Sequence, residues 1–202
     1  MPRLSPRGKR RAMSLLESLR LVWRPALAFA VMGSFWGAFA AQVPAIKARI
    51  GAGEAALGFA LVASALGLLA ATALAPALDR RLGRWALPAV VVFFAAAAQG
   101  PGIVTGIAGF GAALLAMGLA SGMLDVVMNV RVADLEARHR RSLMNLAHGL
   151  FSFAYAAAAL VAGGLREAGA AVWIGFACVG LFGLAAARAT AVAPEATAEA
   201  GA

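Results

Sequence analysis

Charge is scarce in this chain. Charged residues are 13% of its 202 residues, against roughly 25% in a typical soluble domain. From Trp85 to Val130 there is no Lys, Arg or Glu, and the single charged side chain is Asp125. With 62% of residues hydrophobic and a mean hydropathy of +0.83, a soluble fold of this size could not hide its apolar surface. That excludes an ordinary soluble enzyme domain. Cysteine is nearly absent too. Cys178 stands alone, so there is no disulfide framework, and a lone buried thiol acts as a small hydrophobe. With two histidines and one cysteine, neither a metal nor a cofactor is expected.

What is present is long uncharged runs. Stretches of about 18 or more apolar residues read as membrane helices. Pro25–Ile46, Ala55–Leu78, Ser142–Leu165 and Ala168–Ala187 qualify, and Trp85–Val130 is long enough for two spans. Its expected break is "QGPG" at Gln99–Gly102, since Gly-Pro punctuates helices. The expected fold is an all-α integral membrane bundle of six spans, near 25–44, 55–78, 85–104, 106–130, 143–164 and 168–188. A basic segment, 1–24, precedes it and a tail, 189–202, follows. "AMSLLESLRLVW" (Ala12–Trp23) reads as a short surface helix, and the ends, 1–12 and 190–202, as mobile tails.

The net charge of +9 is distributed for topology, not for nucleic acid. Fifteen of the 18 Lys and Arg residues fall in the N-terminal segment, in "DRRLGR", in "VRVADLEARHRR" and after the last span; Lys47, Arg49 and Arg166 are the others. Cytoplasmic loops retain positive charge. Both termini are therefore expected in the cytoplasm, with the chain in a bacterial inner membrane. The first span, with "AFA" at Ala38–Ala40, imitates a signal peptide; the five spans behind it favour a retained helix.

An ionisable group within a span is expensive and marks function by default. Gly111, Gly118, Ser121, Gly122, Asp125 and Asn129 fall on one helical face of span 4. Asn145, His148, Ser152 and Tyr155 do the same on span 5. Asp125 and His148 are at similar distances from the connecting basic loop, hence at similar depth. A carboxylate beside an imidazole is a plausible proton carrier, and a satisfied polar pair that only fixes packing is the alternative. Trp36 can present an aromatic face to the same path. Gln42 and Gln99 are expected at outer span ends in reach of water, and Trp23, Trp85 and Trp173 as interfacial anchors. "MGSFWG" (Met32–Gly37) and "MGLASG" (Met117–Gly122) share M-G-x-x-x-G three spans apart, which suits an inverted repeat of two three-helix units and close helix packing.

Together these residues resemble the N-terminal half of a major facilitator superfamily (MFS) transporter. "LDRRLGRW" (Leu78–Trp85) resembles that family's loop between spans 2 and 3, with Asp79, Arg80, Gly83 and Arg84 as signature and gating residues. Ala75 replaces the usual glycine, and one extra residue precedes Gly83. From Gly122 to Leu165 the chain is similar to the bacterial sugar-permease-like branch that includes fucose permease relatives. Asp125 and Asn129 match its D-x-x-x-N, Glu136 its loop glutamate, and His148 and Ser152 its H-x-x-x-S. The resemblance implies a path lined by spans 1, 2, 4 and 5 for a small, sugar-like solute, coupled to protons. It also implies a partner, since the family has twelve spans: a second copy or a separate C-terminal half. A truncated, non-transporting product or a membrane scaffold is the competing expectation. An intramembrane serine protease is remote, because Ser121 lies mid-helix and span 6 has no histidine to activate it.

Overall fold

The computed structural model describes residues 15–194. Within them the chain is helical and contains no strand. The helices are α1 (Leu15–Ile50), α2 (Glu54–Leu82), α3 (Ala86–Ala97), the short α4 (Gly100–Ile103), α5 (Ile107–His139), α6 (Met144–Glu167) and α7 (Val172–Ala187), with 3₁₀ turns at Gly83–Trp85 and Arg188–Thr190. Among the described residues five stretches are long and apolar enough to cross a membrane: Leu15–Ile50, Glu54–Ile103, Ile107–His139, Met144–Glu167 and Val172–Thr190. The second of these holds α2, α3 and α4, which the sequence divides into two spans.

The direction of each helix follows from who touches whom. A methyl group on Gly33 would overlap the Phe151 carbonyl, and one on Gly37 the Tyr155 carbonyl, so α1 and α6 run parallel in close contact. Gly118 meets Ser64 and Gly122 meets Leu68 and Ala71 in the same way, so α2 and α5 are a second parallel pair. The two M-G-x-x-x-G segments thus do one job in two places: each lets a backbone approach that a side chain would block. Gly83 lies beside Arg131 near the end of α5, whereas Gly100 lies against Ala113 near its start. α3 and α4 therefore run back along α5, opposite to α2. Gly83, with φ 53°, makes that reversal, a left-handed conformation that suits glycine.

Several boundaries differ from those read in the sequence. Residues from Leu15 onward belong to α1, so the expected surface helix at Ala12–Trp23 is the continuous start of the first span; Ala12–Ser14 lie outside the described residues. At "QGPG" α3 gives way to the short α4, and the division between spans falls at 104–106, as the sequence has it. Pro101 removes one N–H at the start of α4, and the reversal comes at Gly106, with φ 86°. The carbonyls of Pro101 and Gly102 at the end of α4 are met by the Arg49 guanidinium, the former at 2.7 Å, which satisfies backbone acceptors that a helix end leaves open. α5 continues nine residues past Val130, to His139. Beyond the last span, Thr190 is buried and the Ala191 and Val192 carbonyls accept from Arg24 and Arg131, so residues up to Val192 are packed and are not a loose tail. The expected tail 1–12 and the part of the other from 195 to 202 lie outside the described residues.

The core is aromatic and centred on α1. The Phe35 ring meets Trp36, Phe94 and Phe176 at 5.2, 5.5 and 5.8 Å between centroids, and Phe39 bridges to Phe110 at 6.5 Å. This joins α1, α3, α5 and α7. α2 and α6 stand outside it. Phe59, Leu66 and Leu69 on α2, and Phe153 and Leu160 on α6, are more than half exposed, a surface that water would not tolerate over so wide an area.

Candidate functional site

Three helices bring polar groups to one cavity. Phe29, Met32 and Trp36 from α1, Asp125 and Met128 from α5, and His148 and Phe151 from α6 line a space of about 160 Å³. Asp125 and His148 share it without an ion pair between them. The carboxylate is oriented from its own helix: Asn129 Nδ2 donates to Asp125 Oδ1 at 3.0 Å and to the Asp125 carbonyl at 2.8 Å. The imidazole is braced by Phe29, whose ring meets it edge-on at 5.0 Å. Both titratable groups are exposed to the cavity side of the bundle, so each can reach a solute.

The single face expected on α5 divides in two. Gly118, Ser121 and Gly122 are buried, the two glycines against α2, while Asp125 turns to the cavity shared with α1 and α6. The small residues serve packing and the carboxylate serves the space beyond. On α6, Ser152 is exposed and its hydroxyl donates to the His148 carbonyl at 3.0 Å. Tyr155 lies 6.4 Å from Phe151, ring to ring. Asn145 is exposed at the start of α6 and does not line the cavity with His148. Ser121 is buried in the middle of α5, and the two histidines lie at the end of α5 and on α6.

The end of α5 holds a group the sequence did not single out. Arg131, counted there only as a cytoplasmic charge, is fully buried. It donates to both Asp79 oxygens, one at 3.1 Å, to the Gly83 carbonyl at 3.1 Å and to the Val192 carbonyl at 3.2 Å. One guanidinium thus clamps the ends of α2, α5 and the segment after α7. Arg80 and Arg84 are exposed, the latter over the Trp85 ring at 5.2 Å.

Glu136 lies inside α5, not in a loop, because that helix is longer than expected. Its carboxylate accepts from the Leu143 and Met144 amides, the latter at 2.9 Å, and so caps the start of α6. Gln42 is not in reach of water, and Gln99, four residues from the end of its stretch, is half-buried and spends its amide on carbonyls. Gln42 is buried and donates to the Ala162 carbonyl at 3.3 Å, and Gln99 donates to the Ala95 and Phe176 carbonyls at 2.9 and 3.1 Å. Gln42 joins α1 to α6, and Gln99 joins the end of α3 to α7.

A multi-pass helical membrane protein with a polar cavity between its apolar helices is the class this arrangement defines. No family model matches the chain. Over 156 residues, 74% of its length, it is 34% identical to an uncharacterised MFS-type transporter of Yersinia pestis. The chain spans about 38% of that relative's length. The likeness supports an MFS-type transporter half, and it does not single out the sugar-permease-like branch.

Proposed function

We propose that this chain is the N-terminal six-span half of an MFS secondary transporter, which moves a small polar, sugar-like solute in exchange for or together with protons. The observation that carries the reading is the convergence of Asp125, His148 and Trp36, from α5, α6 and α1, on one cavity in an otherwise apolar bundle. A charged side chain at such depth persists where it has a task. Reading α2 and the α3–α4 stretch as two crossings gives six spans and puts both termini on the same, cytoplasmic, side. The pairing of α1 with α6 and of α2 with α5 supports an inverted repeat, because exchanging the first three spans with the last three maps one pair onto the other.

In this mechanism the solute sits between this half and a second one, supplied by another copy or by a separate C-terminal half. Asp125 takes up and releases the proton, Asn129 holds its carboxylate in place, and His148 with Ser152 meets solute hydroxyls. Trp36 and Tyr155 offer ring faces to a sugar. Proton occupancy shifts the balance of inward-open and outward-open states. The test is a solute screen in proteoliposomes carrying the assembled transporter and an internal pH dye. Wild type shifts the lumenal pH with its solute, downward for co-transport and upward for exchange; Asp125→Asn remains folded and does not, and unchanged proton movement in that variant overturns the assignment.

A further inference from the structure

One groove outside the Asp125–His148 cavity has a charge at its edge. Leu74, Ala77, Leu78, Leu82 and Met123 line a cavity of about 340 Å³ at the inner end of α2, with Arg81 at its rim. Arg81 is exposed and makes no hydrogen bond or ion pair among the described residues. The nearest carboxylate in sequence, Asp79, is taken at both oxygens by Arg131. Leu74 lies seven residues before Arg81, about 10 Å along the helix. The groove is therefore apolar at depth and cationic where the helix ends. Trp85, half exposed four residues further on, is of the residue type that settles at the headgroup level.

We propose that this groove holds an acyl chain of an anionic phospholipid from the cytoplasmic leaflet, with its phosphate on Arg81. The inference rests on the membrane reading above. A guanidinium matches phosphate through parallel N–H donors, and anionic lipids gather where cytoplasmic basic segments meet the bilayer. A free phosphate would use Arg81 and leave Leu74 and Leu78 uncovered. A helix of a second half would cover the leucines and leave the guanidinium without an anion. A phospholipid satisfies both ends at once.

The test is native mass spectrometry of the chain in mild detergent, with added phosphatidylglycerol or phosphatidylcholine. Phosphatidylglycerol stays bound to the wild type in preference to phosphatidylcholine. Arg81→Gln lowers its retention roughly fivefold, the effect of one interfacial cation, and Arg188→Gln, at another exposed arginine, does not. Ala77→Phe fills the groove and lowers retention of both lipids. Equal retention by Arg81→Gln and wild type overturns the proposal. So does displacement of the bound species by inorganic phosphate alone, or adducts on single chains that vanish in the assembled particle, which would give the groove to the second half. A chain that stays in solution without detergent would instead overturn the membrane reading itself.

Discussion

Arg131→Gln is the substitution with the largest expected effect on stability. The side chain is fully buried, and its partner Asp79 is 19% exposed. Glutamine cannot reach all four acceptors, so the Asp79 carboxylate loses its counter-charge and the Gly83 and Val192 carbonyls lose a donor. Breaking one side of such a buried pair costs about 3–5 kcal/mol, most of it the price of the stranded charge. Arg131→Lys keeps the charge and loses the fork, at about 1.5–3 kcal/mol. Asp79→Asn strands the guanidinium instead, and the double variant recovers part of the loss, with a coupling of about 2 kcal/mol or more. The assay is reversible unfolding in mixed micelles with increasing sodium dodecyl sulfate, followed by tryptophan fluorescence. An Arg131→Gln variant within about 0.5 kcal/mol of wild type would refute the reasoning, because the clamp would then hold nothing.

In the same assay, Gly33→Val and Gly118→Val each destabilise by about 1–3 kcal/mol, since the new side chain meets backbone across the helix pair. Gly149, in α6 with open space around it, behaves oppositely, and Gly149→Ala stabilises by about 0.5–1 kcal/mol. Glu136→Ala uncaps the start of α6 and costs about 1 kcal/mol, read equally as faster amide exchange at Leu143 and Met144. Asp125→Asn leaves stability within about 1 kcal/mol of wild type, because the carboxylate faces a cavity and carries no buried ion pair; a collapse of the fold in that variant would make Asp125 a packing residue.

Apolar run length made the spans legible, because a bilayer demands about 20 apolar residues whatever their order. Helix ends were less so. The start of α1 and the end of α5 run into charged sequence, where hydropathy stops marking helix; the cap supplied by Glu136 and the bond from Arg24 to the Ala191 carbonyl replace that signal. Asp125 and His148 could be matched in depth from their distances to one loop. The cavity walls Phe29, Met32, Met128 and Phe151 could not, since apolar residues inside a span look alike until a neighbour turns some of them inward. Arg131 was hidden by its surroundings: among "VRVADLEARHRR" a buried, bidentate arginine reads the same as a loop cation. The glycines of M-G-x-x-x-G were legible as close packing, while only the fold shows that α1 spends them on α6 and α5 on α2.

Molar mass tests the half-transporter account most directly. The chain, extracted from its own membranes in mild detergent and measured by light scattering corrected for bound detergent, is predicted to run as two halves. That means either twice its 20.4 kDa or the chain together with a second membrane polypeptide. A uniform particle of one chain, stable and alone, would contradict the account.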